Sequence, residues 1–156
     1  MNKKIVLVGI VALVIALTGG TYFLNSAQTK RDDTKIHIVE VFKSPSCGCC
    51  NGYIAALESD GFQVKSVNMD DLTAIKNKYN IPTEMQSCHT TIIGRYFIEG
   101  HVPLDAVKKL LQEQPDIDGI ALPGMPIGTP GMPGPKESPF VIYQIKDGQS
   151  SEFMKI

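Results

Sequence analysis

Four cysteines are the residues whose type and spacing point most directly to chemistry. Cys47, Cys49 and Cys50 fall within four consecutive positions, and Cys88 comes much later in the chain. Cys47 and Cys50 are three residues apart, so in the first turn of a helix both sulfurs can reach one metal ion or each other. The free N–H groups and the dipole of a helix N-terminus stabilise a thiolate, which is the form that binds metals and attacks disulfides.

The third clustered cysteine, Cys49, favours metal binding. A Cys-x-x-Cys pair alone, outside the cytoplasm, is typical of a redox site or of a structural disulfide. An adjacent thiol would invite mispairing and overoxidation in a disulfide exchanger, whereas a thiolate metal site can use or tolerate it. We therefore interpret the group as a metal site, and a redox role for Cys47 and Cys50 stays open as the alternative.

Two histidines extend the list of candidate ligands. Cys88-His89 is a second potential ligand pair at the mouth of a predicted strand, and His101 follows the hairpin that this strand begins. A single histidine is more often a structural residue than a ligand. Two of them in a domain with four cysteines favour a shared site, whereas His37, inside the first predicted strand, is interpreted as structural.

A near-repeat contributes two methionines, Met125 and Met132, in the segments Pro-Gly-Met-Pro at 123–126 and 130–133. Soft thiolate and thioether ligands select Cu(I), so the mixture of sulfur and imidazole favours copper over zinc, iron or calcium. Bridging sulfurs would let the site hold a polynuclear cluster. The alternative, that both methionines are apolar residues that pack a long loop onto the domain, remains open.

The first 25 residues predict a signal peptide or a single-pass membrane anchor. Lys3 and Lys4 precede an apolar stretch, Ile5 to Leu24, of about 20 residues, which can cross the hydrocarbon core at about 1.5 Å per residue. Cleavage and anchoring both remain open, and we favour the anchor. The positive-inside rule then places the remainder outside the cytoplasm, in the periplasm or at the outer face of the inner membrane.

Charge and length limit the functions of the remainder. The chain of 156 residues carries 15 basic and 16 acidic residues, so nothing in its charge favours nucleic acid as a partner. Residues 26–35 are polar and predict a tether. Residues 36–156 then leave room for one domain with one core, in which we expect one site.

The elements of that domain predict an α/β fold of the thioredoxin-like type. The pattern after the tether indicates strand, helix, strand and helix, then an antiparallel hairpin around Gly94-Arg95 and a further helix behind Pro103. In the first half, the predicted elements are a strand at 36–42, a helix that Cys47–Cys50 opens, a strand at 62–69 and a helix that carries Leu72, Ile75 and Tyr79.

The C-terminal third is predicted to be mostly irregular. Residues 115–139 contain most of the prolines, so we expect neither a helix nor an interior strand there. A loop of this length is unusual unless it is functional or disordered. A second hairpin is predicted around Asp147-Gly148.

Five ordered blocks of the sequence closely resemble the signature of the CopG-like copper-resistance family, a thioredoxin-like metal-binding family unrelated to the DNA-binding repressors of the same name. The blocks are Lys43-Ser-Pro-Ser-Cys-Gly-Cys-Cys50, Ile81-Pro82, Ser87-Cys-His-Thr90, Glu99-Gly-His-Val-Pro103 and Leu122-Pro-Gly-Met-Pro-Ile-Gly-Thr-Pro-Gly-Met132. The resemblance implies an extracytoplasmic domain that works among other bacterial copper-handling proteins, with a copper cluster or redox site at the Cys-x-x-Cys. It makes Cys47, Cys50, Cys88 and His101 the leading ligands, with Met125 or Met132 next.

Three functions follow, in order of preference. The first is Cu(I) binding for copper sequestration or redox handling. The second is a disulfide oxidoreductase in which Cys47 attacks and Cys50 resolves, so whether the protein is an enzyme stays open. The third, a structural zinc site, is weaker because nothing in the sequence resembles paired zinc knuckles.

Overall fold

The computed structural model describes residues 38–156, in which strands and helices alternate through the first half of the range. Its strands are β1 Ile38–Lys43, β2 Gln63–Asn68, β3 His89–Ile93, β4 Tyr96–Glu99, β5 Gly119–Ala121, β6 Val141–Lys146 and β7 Gln149–Lys155. Its helices are α1 Gly48–Ser59, α2 Thr73–Lys78 and α3 Leu104–Glu113, with a single 3-10 turn at Thr83–Met85.

All seven described strands join one mixed sheet in the order β2-β1-β3-β4-β5-β6-β7. β1 pairs in parallel with β2, and α1 makes the crossover between them. β3 and β4 form an antiparallel hairpin that runs antiparallel to β1, and β4 pairs in parallel with β5. The mixed α/β class predicted from the sequence is therefore confirmed.

The core divides between the two faces of the sheet because successive side chains of a strand point to opposite faces. In β4, Ile98 packs in the larger cluster with Tyr53 and Leu57 of α1 and with Leu110 of α3. Its neighbour Phe97 belongs to a smaller cluster. The members of the smaller cluster come from the opposite face and from the chain around α2: Tyr79, Ile81, Met85, Ile92, Phe97, Ala121, Tyr143 and Ile145.

Both predicted hairpins are present, each with a two-residue turn. Gly94, at φ 60°, begins the turn between β3 and β4. Asp147 and Gly148 have φ of 51° and 74° and connect β6 to β7. In the turn between β6 and β7, positive φ at both central residues matches the twist of antiparallel strands, and an Asp-Gly pair adopts it at low cost.

The prediction that residues 115–139 contain no interior strand is wrong at one point. β5, Gly119–Ala121, lies between β4 and β6 and pairs with both. The prolines of this region stand at Pro115 and from Pro123 onwards, so residues 116–122 keep their backbone donors. A Cβ at Gly119 would lie 2.3 Å from the Phe97 carbonyl oxygen, so glycine permits the close pairing.

The predicted leader, tether and His37 lie outside the described residues and stay predictions. Between Ile38 and Ile156, no helix is both long and apolar enough to span a membrane.

Candidate metal centre

Strand register brings the candidate ligands to one end of the sheet. The last residue of β1, Lys43, is paired with His89, the first residue of β3. The last residue of β4, Glu99, is paired with Thr90 and also with Ala121, the last residue of β5. Four parts of the candidate site therefore adjoin this one end of the sheet: the Cys47–Cys50 segment after β1, Cys88 before β3, His101 after β4, and the loop of residues 123–133 after β5, which carries both Pro-Gly-Met segments and is called the Pro-Gly-Met loop below.

Three of the four sulfur atoms lie at the first turn of α1. Cys47 is the residue before the helix and is joined by a disulfide to Cys50, with Cα atoms 5.4 Å apart. The Cys50 side chain is fully buried, whereas Cys47 is partly exposed. Cys49 lies close as well, with its Sγ 3.5 Å from Cys47 Sγ. The spacing of three residues between Cys47 and Cys50 therefore does not by itself exclude Cys49 as a ligand at the same site.

Cys88 completes a group of four sulfurs, all within 4.8 Å of one another. Its Sγ is 3.6 Å from Cys50 Sγ. Burial, and then the neighbouring Cys49, raise the pKa of Cys88 to about 11. At neutral pH Cys88 is therefore a thiol in the metal-free protein, and a metal cation that binds it has to displace the proton.

Cys88 also belongs to a second group with two imidazoles. Its Sγ lies 3.2 Å from His101 Nε2 and 3.3 Å from His89 Nδ1. These three ligand atoms again lie within 4.8 Å of one another. Cys88 is thus the sulfur shared by the group of four cysteine sulfurs and the group with two imidazoles.

His101 is oriented by the Pro-Gly-Met loop. Its Nδ1 lies 2.7 Å from the Pro130 carbonyl oxygen, which can only accept, so Nδ1 carries the hydrogen and donates it. The lone pair of Nε2 is then directed towards Cys88. This arrangement, one ring nitrogen held by a carbonyl and the other free to bind, is typical of histidine metal ligands. Burial lowers the His101 pKa, which favours the neutral, ligating form.

His89 is buried against Tyr53 and His101. Its ring centroid lies 4.6 Å from that of Tyr53 and 4.8 Å from that of His101. Burial, followed by His101 and Lys76, lowers the His89 pKa to about 3, so the ring is neutral. Its Nε2 is buried without a hydrogen-bond partner in the described part of the chain. Tyr53 donates its hydroxyl hydrogen to the Val102 carbonyl, and its ring also lies 5.7 Å from that of His101, edge-on.

The Pro-Gly-Met loop lies directly on the first turn of α1. A Cβ on Gly131 would come within 2.4 Å of the Cys49 carbonyl oxygen and 2.6 Å of the Tyr53 nitrogen. A Cβ on Gly52 would lie 2.8 Å from Gly131 Cα. Two glycines, one from each segment, therefore permit the contact. The loop is also ordered by its own hydrogen bonds, among them Met132 N–H to the Thr129 carbonyl at 2.9 Å.

The two candidate methionines occupy different environments. Met132 directly follows Gly131, at the contact with α1. Met125 is 41% exposed and adopts a positive φ of 47°. Met125 is therefore not a core residue, and Met132 is the methionine whose neighbour in the chain, Gly131, contacts the first turn of α1.

Sequence reasoning missed two charged residues next to the ligands, Lys76 and Glu99. They form a buried ion pair, and Glu99 is completely inaccessible to solvent. The one local signal is the position of Glu99 at the end of an apolar strand, directly before Gly100-His101.

Comparison with known proteins gives family and fold matches. The family model described as "Protein of unknown function, DUF411" matches residues 85–132. Two solved structures, of copper resistance protein CopG in form 2 and form 1, are each 37% identical to this chain. The first gives a TM-score of 0.71 over 77% of this chain and 98% of its own, and the second gives 0.70 over 76% and 96%. No curated protein sequence matches.

Proposed function

This chain belongs to the CopG copper-resistance family, and we propose that it binds Cu(I) at the four-sulfur group formed by Cys47, Cys49, Cys50 and Cys88. The observation that carries the proposal is the convergence of these four sulfurs within 4.8 Å, with Cys88 facing two neutral imidazoles. Thiolates are soft ligands that select Cu(I), and their small separations allow sulfur atoms to bridge more than one ion.

Copper is the cargo in this proposal. The Cys-x-x-Cys pair then alternates between an oxidised disulfide, which does not bind copper, and a reduced pair of thiolates, which does. Cys47 and Cys50 can bind Cu(I) only after their disulfide has accepted two electrons, so that each sulfur becomes a thiolate. An external thiol reductant has to supply these electrons. The order β1-α1-β2-α2-β3-β4-α3, with a parallel pair and an antiparallel hairpin, supports a thioredoxin-like assignment, and that scaffold commonly carries a Cys-x-x-Cys at its first helix.

An anaerobic titration of the reduced protein with Cu(I), followed by elemental analysis, tests the proposal. We expect stoichiometric copper that survives desalting, because the sulfurs already lie within the reach of one cluster. Zinc retained through purification and not displaced by Cu(I) would contradict copper as the cargo.

The disulfide between Cys47 and Cys50 favours a second candidate function, disulfide oxidoreduction. Cys47 is the more exposed of the pair, as an attacking cysteine has to be, and Cys50 is buried, as a resolving cysteine can be. Catalytic reduction of insulin disulfides by the metal-free protein, lost in Cys47→Ser, would support this function in place of copper binding.

We further propose that the domain works outside the cytoplasm, held by the apolar segment Ile5–Leu24, and hands copper to other copper-handling proteins. The support is the sequence of the leader, with two lysines before about 20 apolar or small residues. Alkaline carbonate washing of membranes should leave the full-length protein in the pellet. Release of a shortened chain that begins near Gln28 would show that the leader is cleaved.

Met132 is proposed as an additional thioether ligand, because it follows Gly131 at the contact between the loop and α1. Met132→Leu should weaken Cu(I) binding while the free energy of unfolding falls by about 1.5 kcal/mol or less, since leucine nearly conserves the volume. Met125→Leu is the matched control, in the equivalent position of the near-repeat, and should leave affinity unchanged. Equal Cu(I) affinity in both variants, with no thioether signal in sulfur X-ray absorption, would return Met132 to a packing role.

A further inference from the structure

A buried hydrogen-bond network adjoins the residues before and after Cys88-His89. It includes two charged side chains, Lys76 and Glu99, that are not among the candidate metal ligands. The Lys76 ammonium, at the middle of α2, pairs with the Glu99 carboxylate and also donates to the Ser87 carbonyl at 3.0 Å and to Thr90 Oγ1 at 3.3 Å. Glu99 accepts from Ser87 N–H at 2.6 Å and, through its other oxygen, from the Thr90 hydroxyl at 2.6 Å.

The network encloses the ligand pair Cys88-His89 on both sides. The residue before the pair, Ser87, is held through both its N–H and its carbonyl, and the residue after it, Thr90, is held through its hydroxyl. Glu99 itself lies two residues before His101 in the chain. One carboxylate thus connects the segment that carries Cys88 and His89 to the segment that carries His101.

A close backbone contact reinforces this connection. The Gly100 N–H donates to the His89 carbonyl at 3.1 Å. A Cβ at Gly100 would lie 2.8 Å from the Ser87 side chain, and the residue has a φ of 78°. The two ligand segments therefore touch through Gly100 and are bonded to each other through Glu99.

We propose that Glu99, with Lys76 as its counter-charge, is a positioning residue that sets the distance and orientation of Cys88 and His89 relative to His101. The inference rests on the proposed function, because it assigns a role towards copper held at Cys88. A buried ion pair is weak evidence for stability by itself, since its desolvation cost rivals its attraction. Its value here is geometric, because every polar atom of the pair is used to hold the ligand segments.

Three donors converge on the Glu99 carboxylate: the Lys76 ammonium, the Ser87 N–H and the Thr90 hydroxyl. Burial raises the pKa of the Glu99 carboxyl, while Lys76, Thr90 and the Ser87 N–H all act in the opposite direction. Lys76 and the Ser87 N–H share one oxygen of Glu99, and the Thr90 hydroxyl is bonded to both Lys76 and Glu99, so the network behaves as a unit.

Two pairs of matched variants test the inference. Glu99→Gln removes the charge at nearly constant volume, and Glu40→Gln does the same in the exposed Lys65–Glu40 pair on the same sheet. Thr90→Val removes the hydroxyl bonded to Glu99. Thr91→Val is its control, because the Thr91 hydroxyl is also buried but has no hydrogen-bond partner within residues 38–156.

Cu(I) affinity should fall about tenfold or more in Glu99→Gln, the range found when a residue that orients a metal ligand is replaced. It should fall by a smaller factor in Thr90→Val and stay unchanged in Glu40→Gln and Thr91→Val. If Glu99→Gln does not fold, as judged by circular dichroism, Thr90→Val against Thr91→Val decides alone.

A second readout uses the reduced, metal-free proteins. Release of the Ser87–Thr90 segment should accelerate alkylation of Cys88 relative to Cys49 in Glu99→Gln and Thr90→Val, but not in the controls. A purely structural role would lower the unfolding temperature and leave both readouts unchanged for the folded protein, which would overturn the inference. If the wild-type protein does not bind Cu(I), the proposed function fails, and the alkylation ratio still decides whether the network positions Cys88.

Discussion

Replacing Cys88 with serine is expected to abolish tight copper binding more completely than any other single cysteine substitution. Cys88 Sγ is the atom common to the four-sulfur group and to the group with His89 and His101. Cys88→Ser removes a ligand from both groups, whereas Cys49→Ser removes one from the sulfur group alone. We expect the affinity for Cu(I) to fall about a hundredfold or more, the upper end of the losses found for residues that merely orient ligands.

Competition with a Cu(I) chelator under anaerobic conditions measures this effect. The four single serine variants, one for each cysteine, are compared in the fully reduced state. Cys47→Ser and Cys50→Ser should also bind copper far less tightly, because both supply thiolates from the first turn of α1. Sequence reasoning alone predicts a smaller loss of Cu(I) affinity for Cys49→Ser. Because the Cys49 sulfur lies 3.5 Å from that of Cys47, an equal loss in this variant would show that Cys49 is a ligand of the same rank. Wild-type affinity in Cys88→Ser would show that Cys88 is not the shared ligand.

Substitution of Gly131 by alanine should displace the Pro-Gly-Met loop from the metal centre. The new Cβ would lie 2.4 Å from the Cys49 carbonyl oxygen, and that backbone cannot move without unwinding the start of α1. Displacement would also remove the Pro130 carbonyl that orients His101. We expect Gly131→Ala to lower Cu(I) affinity about tenfold or more, as for other residues that orient ligands.

The near-repeat supplies a matched control for this variant. Gly124 occupies the equivalent position and has a φ of 83°, close to the 80° of Gly131, but a Cβ there would meet no atom within 4 Å. Both alanine variants carry the backbone strain of a positive φ, about 1–3 kcal/mol of unfolding free energy. Gly124→Ala should therefore lose stability in thermal unfolding and keep its copper affinity. Equal affinities in the two variants would mean that the loop does not support the site.

The positions of most strands and turns along the chain were predictable from the sequence because they depend on near neighbours. Alternating apolar residues indicated the paired strands, and Asp147-Gly148 indicated its turn because an Asp-Gly pair tolerates positive φ at both positions. The exception, β5, shows the limit of this reasoning. Three residues between prolines carry too little pattern, and their pairing depends on the space that β4 and β6 leave between them.

The candidate ligands were also recognisable by type, since cysteine, histidine and methionine carry soft or borderline donors wherever they lie. The sequence did not show which of these ligands lie next to one another in the folded protein. The contact between Cys50 and Cys88 joins residues 38 positions apart, and the register of β1 with β3 sets it. The buried role of Glu99 was equally out of reach, because a glutamate at the end of a strand is ordinarily exposed.

The sequence by itself therefore determined the chemistry of the donors, the order of most elements along the chain and the irregular structure of the Pro-Gly-Met loop. The tertiary structure alone decided that Cys88 faces both sulfur and imidazole, that Gly131 rather than Gly124 touches the first turn of α1, and that Lys76 and Glu99 hold the ligand segments. The physical reason is range. Local patterns report on residues one helical turn or one strand step apart, whereas a metal centre is assembled from the ends of strands whose neighbours are chosen by the sheet as a whole.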